Sequence, residues 1–142
     1  MPLPAEKIAE LRLKQLEMLQ GIINRMAGYG SAHKNYCITI TTAICGAAVT
    51  LERPSLVLMS LIPILVFWLM DTQYLRVERR FRRLFMVAAQ QKWEMPPDFD
   101  FNLNSVSGVS FWSCAVSWSV MVFYLPTTIS VVGCFFLLGG EL

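Results

Sequence analysis

The sequence is poor in charge for its length. Only 15% of its 142 residues are charged, whereas a soluble domain carries about 25%. It is instead 55% hydrophobic, and the apolar residues form long uncharged runs that a soluble body of this size could not bury. The shortage of charge argues against an ordinary cytosolic enzyme and favours a protein whose solvent is the bilayer.

Residues that carry enzyme chemistry are also scarce. There is one histidine, His33, and the sequence lacks a glycine-rich phosphate loop, a metal-ligand cluster and a Ser/His/Asp set. The four cysteines lie inside apolar runs at spacings typical of neither a zinc site nor a disulfide framework, so we interpret them as packing residues. They are Cys37, Cys45, Cys114 and Cys134. We therefore expect no enzyme, no cofactor and no metal, and the net charge of +2 predicts no direct nucleic-acid binding.

Three uncharged runs predict an all-α membrane protein with three transmembrane helices. Residues 35–51 and 54–70, separated by Glu52 and Arg53, would each form a helix about 25 Å long, near the lower limit for crossing a bilayer. The alternative for this pair is a buried hairpin in a soluble fold. The third run is most apolar over Val109–Leu138 and contains Pro126. We expect one span kinked at Pro126, and a re-entrant pair of half-spans is the alternative.

Lysine and arginine are distributed asymmetrically along the chain. Of the 12 such residues, all except Arg53 lie before the first span or between the second and third. The positive-inside rule then predicts a bacterial inner-membrane protein with a cytoplasmic N-terminus and a periplasmic C-terminus at Leu142. The first residues carry Glu6 and Glu10 and have no early apolar stretch. They predict no cleavable signal peptide, so the first span would act as its own insertion signal.

Two amphipathic helices are predicted on the cytoplasmic side. The first runs from about Ala5 to Ala27 and is ended by Gly28 and Gly30. Its polar face mixes glutamate with lysine, so we expect it to pack against another helix, in the same or a neighbouring subunit, rather than to lie in the membrane interface. A plausible partner is the cytoplasmic extension of the second span. The predicted segments are thus 1–34, 35–71, 72–108 and 109–142.

The extension of the second span carries a basic face. Glu78 and Arg82 are spaced to pair on this helix, and the basic face itself is formed by Arg76, Arg79, Arg80 and Arg83. The face is either a topological anchor that touches the headgroups of membrane lipids, or a site for a phosphate-bearing ligand or a cytoplasmic protein partner. Asp71 ends the second span, and its burial would require a partner. The candidates are Arg25, His33, Lys34 and Arg76.

A polar stripe is predicted on the third span. On one continuous helix the residues Ser110, Ser113, Ser117, Tyr124 and Thr128 share a face. A polar stripe in a span is expected to face protein or water, so these residues are candidates for lining a pore. The alternative is that the hydroxyls bond to their own helix or join helices together. Ser113 and Ser117 are small residues four positions apart. Thr42, Gly46 and Thr50 on the first span repeat this four-residue spacing and predict a close helix contact.

Four segments carry a resemblance to known proteins. They are Leu19–Ala27, Phe67–Asp71, Tyr74–Arg82 and Phe123–Pro126. Together they resemble a widespread group of small bacterial multi-span inner-membrane proteins, and the resemblance covers most of the chain. Relatives in this group occur near phage-defence genes, which implies a membrane effector in antiviral defence. The resemblance implies no catalytic residue.

These observations favour a homo-oligomeric pore or ion channel that perturbs the membrane. Three spans cannot enclose a water-filled path, so conduction would require several copies of the chain. The competing hypothesis is a non-conducting membrane anchor, or an immunity-type protein, that binds a cytoplasmic partner through the amphipathic helix and the basic face.

Overall fold

The structure, a computed structural model, describes residues 4–139 and consists of helices joined by short turns and one long connector. Its helices are α1 (Ala5–Thr50), α2 (Ser55–Met59), α3 (Leu61–Gln90), α4 (Phe111–Ala115) and α5 (Trp118–Gly139), with a 3₁₀ turn at Leu103–Ser105. No strand occurs in this part of the chain, which confirms the predicted all-α class. The predicted C-terminal tail, residues 140–142, lies outside the described residues.

Helix α1 is continuous over 46 residues, a length of about 69 Å. The predicted helix end at Gly28 and Gly30 is therefore wrong, because both glycines lie inside the helix and neither has a positive φ. Gly30 has a different role. A Cβ atom at this position would lie 2.9 Å from Oδ1 of Asp71 on α3. The glycine permits a close approach of two helices instead of ending one.

Helices α1 and α3 form an antiparallel hairpin. Tyr29 and His33 of α1 both pack against Tyr74 of α3, with ring centroids 5.3 and 4.9 Å apart. Nearer the N-terminus, Ile8, Leu19 and other residues at three- and four-residue intervals are buried along the same side of α1. The amphipathic N-terminal part of α1 therefore packs against the extension of α3 in the same chain, the partner that the sequence suggested.

Arg12 ties the start of α1 to the end of α3. Its guanidinium donates to the carbonyl oxygens of Ala88, Lys92 and Met95 and to the side chain of Gln91, at 2.9–3.5 Å. The last carbonyl groups of a helix have no donors within the helix and carry a partial negative charge. Arg12 is only 2% exposed, so it acts as a buried, charged cap on α3.

The turn between α1 and α2 is a Schellman motif. The amide of Arg53 donates to the carbonyl oxygen of Ala48 at 3.0 Å, and the amide of Glu52 donates to that of Val49 at 3.2 Å. Glu52 has a φ of 51°. This is the left-handed conformation that glycine adopts without steric cost and that other residues rarely adopt.

Two helical stretches are long and apolar enough to cross a membrane, namely Ser55–Gln90, which joins α2 to α3, and α5. Large apolar side chains on both remain exposed, for example Ile62 and Ile129, each at 62%. Contiguous apolar surface of this kind is typical of contact with lipid or with another protein. The architecture is consistent with a membrane protein.

The third apolar run is interrupted just before α5. In a continuous helix the carbonyl oxygen of Ser113 would accept from the amide of Ser117. That amide instead donates to Cys114 at 3.0 Å, and the carbonyl oxygen of Ser113 accepts from Arg79 at 3.3 Å. Arg79 thus replaces a helix hydrogen bond at the point where α4 ends.

The interruption corrects the prediction of one helix over Val109–Leu138, because α5 begins only at Trp118. With 22 residues, α5 is about 33 Å long, which is enough to cross the bilayer core. Pro126 lies inside α5, and the helix continues on both sides of it. A kink at Pro126 remains a prediction.

We expect Glu52→Gly to raise the free energy of unfolding by about 1 kcal/mol, because glycine removes the steric cost of the left-handed conformation. Thermal unfolding of the purified protein in detergent, followed by circular dichroism, measures this change. Glu52→Ala is the matched control, since it loses the same carboxylate and keeps the strain. If the glycine variant is no more stable than the alanine variant, the assigned turn conformation is wrong.

Candidate functional site

Four arginines of α3 hold the segment of residues 91–117, which leads from α3 to α5, includes the short helix α4, and is called the connector. We call Arg76, Arg79, Arg80 and Arg83 the arginine clamp. They donate to backbone carbonyl oxygens at 2.8–3.3 Å: Arg76 to Val109, Arg79 to Ser113, Arg80 to Leu103, and Arg83 to Ser107 and Gly108. An irregular backbone needs such donors because it cannot satisfy its own carbonyl groups. All four arginines of the predicted basic face therefore contact their own chain, and their binding to lipid or to a partner remains a prediction.

The contacts of the clamp leave its positive charge uncompensated. A carbonyl oxygen accepts a hydrogen bond but carries no net charge. Glu78 is the only acidic residue between positions 72 and 90, and it pairs with Arg82 at 2.7 Å, as the sequence predicted. The surface formed by α3 and the connector is consequently strongly basic, and such a surface attracts anions.

Asp71 forms a buried ion pair with Lys34. Nζ of Lys34 lies 2.8 Å from Oδ2 of Asp71, whose side chain is 4% exposed. Oδ2 accepts no hydrogen bond within the described chain. The attraction between Lys34 and Asp71 is therefore one between opposite charges. Lys34 was one of four predicted partners and is the one that pairs. Removing either partner of a buried pair is strongly destabilising, because the other charge is left uncompensated.

Tyr124 of α5 completes this polar interior. It is 3% exposed, and its hydroxyl has no hydrogen-bond partner among residues 4–139. The hydroxyl lies near the carboxylate of Asp71 on α3 and the thiol of Cys37 on α1. The ion pair and Tyr124 thus mark the place where the three long helices meet.

The residues of the predicted polar stripe do not share one face in the structure. Ser110 precedes α4, and the hydroxyls of Ser113 and Ser117 lie 3.5 and 2.8 Å from the guanidinium of Arg79. Tyr124 is buried between the helices. Thr128 donates to a carbonyl oxygen of its own helix at 2.8 Å. The stripe assumed one unbroken helix, and the interruption before Ser117 removes that register. Tyr124 and Thr128 line one cavity of about 460 Å³ between α3 and α5, together with apolar residues. Pore lining by the five residues remains a prediction.

A second group of hydroxyls, not predicted as a site, lies between α1 and α5. We call this cavity of about 290 Å³ the hydroxyl groove; its polar lining residues are Thr41, Thr42, Thr127 and Ser130. Thr127 donates to the carbonyl oxygen of its own helix at 2.7 Å. Thr41 is only 7% exposed, and its hydroxyl has no hydrogen-bond partner in the described residues. Its neighbour Cys37, one turn earlier, carries a thiol, which is a weak partner.

Neither a metal site nor a known relative adds to this geometry. Within residues 4–139, no three His, Cys, Asp or Glu side chains are grouped as metal ligands. No family model matches the chain, and no curated protein or solved structure matches it. The function is therefore inferred from the arrangement of this chain's own residues.

We expect Gly30→Ala to lower the free energy of unfolding by about 1 kcal/mol. The new Cβ must displace the buried carboxylate of Asp71, and overpacking of this kind costs about 2 kcal/mol, against a gain of about 1 kcal/mol in helix propensity. Gly28→Ala is the matched control, because its Cβ meets open space and should stabilise the helix. Thermal unfolding in detergent compares the two variants. Equal stabilisation by both would show that the contact at Gly30 is not tight.

Proposed function

We propose that the protein is a bacterial inner-membrane protein with three crossings, of which α1 provides the first. Residues 35–50 of α1 lie beside α3 and share the hydroxyl groove with α5. This placement supports a common depth for all three helices. Helix α1 is about 69 Å long, more than twice the thickness of the ~30 Å hydrocarbon core. Its N-terminal half must then project into the cytoplasm together with the end of α3.

Aromatic and charged residues support the position of the cytoplasmic boundary. The Lys34–Asp71 pair lies at the ends of the two uncharged stretches of α1 and α3. Tyr36 follows Lys34 closely, and Trp118 stands at the start of α5; they are 59% and 81% exposed. Exposed tyrosine and tryptophan are enriched where a membrane meets water.

The function that the geometry supports best is a homo-oligomeric pore or ion channel. The observation that carries it is the hydroxyl groove between α1 and α5, with the hydroxyl of Thr41 that has no partner among the described residues. The proposed topology places this groove at membrane depth. Lipid cannot satisfy a polar group, so this groove is expected to face water or protein. One chain has too few helices to enclose a water path, and several copies are therefore required.

The outer face of α1 supports self-association on this side of the molecule. Asn35, Thr39, Thr42 and Gly46 are exposed there, and small residues allow helices to approach closely in membranes. This part of α1 also exposes large apolar residues such as Ile38 and Val49, and the outward faces of α3 and α5 carry others, such as Leu65 and Phe136. We propose that copies meet through α1 and the groove, while α3 and α5 contact lipid. The resemblance to proteins encoded near phage-defence genes suggests a membrane effector in that process.

A non-conducting anchor is the second candidate. It is favoured by the engagement of Ser113 and Ser117 with Arg79, which leaves no free polar stripe on the third helix run. Leu13 and Met86, exposed at 54% and 56% on the proposed cytoplasmic side, offer apolar surface to a protein partner.

Reporter fusions test the proposed topology. A fusion of alkaline phosphatase at Leu142 should be active, and a fusion of a fluorescent protein at the same residue should be dark. This result is expected because an odd number of crossings separates the termini and places Leu142 in the periplasm. Fusions after Arg53 and after Gln91 serve as periplasmic and cytoplasmic controls. A cytoplasmic signal at Leu142 would mean that α1 or α5 does not cross.

Flux measurements test the pore. The purified protein should elute from detergent as an oligomer and release a small ion from liposomes. Thr41→Val, which keeps the shape and removes the hydroxyl, should reduce the flux at least several-fold by making the path apolar, while the oligomer remains.

Thr72→Val is the matched control for this measurement. The hydroxyl of Thr72 donates to the carbonyl oxygen of Trp68 on α3, and Thr72 belongs neither to the hydroxyl groove nor to the proposed contact face of α1, so flux should be unchanged. A strictly monomeric protein, or equal flux in both variants and the native protein, would exclude a pore built on the hydroxyl groove and leave the anchor as the better function.

A further inference from the structure

A concave surface lies between the C-terminal half of α3 and the connector, outside the proposed membrane segments. We call this cavity of about 540 Å³ the basic groove. Its lining includes Arg82, Arg83, Met86, Val87 and Ser107. The groove therefore combines two guanidinium groups and a hydroxyl with an apolar wall.

The two arginines reach the groove with donors to spare. Arg82 uses its Nε on Glu78 at 2.7 Å, and Arg83 uses only Nη1, on Ser107 and Gly108 at 2.8–3.0 Å. Their other guanidinium nitrogens make no hydrogen bond within the chain from residue 4 to residue 139. The hydroxyl of Ser107 accepts from Arg83, so its own proton is free to donate. Several N–H groups and one O–H group without an acceptor thus belong to residues that line the same groove.

The charge of this surface selects an anion. The partners of Arg83 are neutral oxygen atoms, and the single carboxylate nearby, Glu78, offsets only Arg82. Arg80 lies on the preceding turn, and its Nε is buried without a hydrogen-bond partner among the described residues. A guanidinium fork binds phosphate through two parallel hydrogen bonds, which a point charge cannot do.

The apolar wall and the location narrow the ligand further. Met86 and Val87 are 56% and 49% exposed, so a ligand with a carbon body gains contact that an inorganic ion does not. Arg83 follows Asp71 by 12 residues along α3, which places it about 18 Å beyond the proposed membrane boundary. The headgroup layer is only about 6 Å deep on each side, and lipid phosphate does not reach this far.

We propose that the basic groove binds a soluble organic phosphate. Its phosphate group lies on Arg82, Arg83 and Ser107, and its carbon body lies against Met86 and Val87. Only the choice of a soluble ligand over a lipid depends on the proposed membrane placement. The site itself does not depend on whether the protein conducts ions.

Binding to the full-length protein in nanodiscs of phosphatidylcholine tests the site, with adenosine monophosphate as the probe, titrated by calorimetry. Arg82 contacts Glu78, whose side chain is only 12% exposed, and makes no hydrogen bond to the connector. Glutamine can still donate to this carboxylate, so Arg82→Gln leaves the connector in place and should weaken binding at least tenfold. Arg83→Gln should weaken it at least as much. Adenosine should not bind, and inorganic phosphate should bind more weakly than the nucleotide.

Arg53→Gln is the matched control, because it removes the same charge at the opposite end of the molecule and should leave binding unchanged. Nanodiscs containing phosphatidylglycerol should give the same affinity. A loss of affinity in those discs would show that lipid headgroups occupy the groove, which overturns a soluble ligand. No binding of the nucleotide, or equal binding by the native protein and the Arg82→Gln variant, would overturn the site.

Discussion

The close contact between α1 and α3 determines how these two helices lie. At Gly30 the absence of a Cβ atom lets the carboxylate of Asp71 approach α1, and Lys34 one turn later supplies the opposite charge. Because a buried carboxylate is costly without its partner, this pair fixes both the rotation and the axial register of the two helices. The hydroxyl of Tyr124 on α5 lies near the carboxylate of this pair, and α5 also packs against α2 and α3.

A different kind of interaction holds the connector. Residues 91–102 form no helix and bury little apolar surface, and Arg12 of α1 holds Lys92 and Met95 through their carbonyl oxygens. The arginine clamp holds positions 103–113 in the same way, so arginine donors fix much of the return of the chain along α3. Arg79 donates to the carbonyl oxygen of Ser113 and to the hydroxyl of Ser117, between the end of α4 and the start of α5. The start of the last membrane-length helix is therefore set by a residue of another helix.

The sequence predicts those features that depend on local pattern. The helical class, the apolar runs and the Glu78–Arg82 pair follow from spacing along the chain. Lys34 was one of four candidate partners of Asp71, because both lie at the same end of neighbouring uncharged runs. Glycine near the end of an amphipathic stretch is a reasonable helix stop signal. The prediction of a helix end is wrong at Gly30 because this glycine makes room for the side chain of Asp71, 41 positions away. Periodicity along α1 also cannot reveal that Arg12 is buried, since two of its acceptors, the carbonyl oxygens of Lys92 and Met95, lie just after α3.

The same limitation separates the predicted polar stripe from the hydroxyl groove. A helical wheel assigns faces only if the helix is unbroken, and Arg79 breaks it before Ser117. The hydroxyl groove needs two helices, with Thr41 and Thr42 on one and Thr127 and Ser130 on the other, so no single stretch of sequence displays it.

The basic groove and the hydroxyl groove differ in how their free polar groups can find hydrogen-bond partners. Outside the membrane, the spare donors of Arg82 and Arg83 are solvated by water, so the basic groove is stable when empty and a ligand is bound only if it competes with solvent. Threonine in a helix usually satisfies its hydroxyl on its own helix, as Thr39 and Thr127 do. Thr41 does not. At the membrane depth that we propose for the hydroxyl groove, the hydroxyl of Thr41 would need a second copy of the chain or a water molecule as its partner. The arginine clamp connects the basic groove with the start of α5. Arg83 borders the groove, and Arg79, one turn earlier on the same helix, donates to Ser117 just before α5.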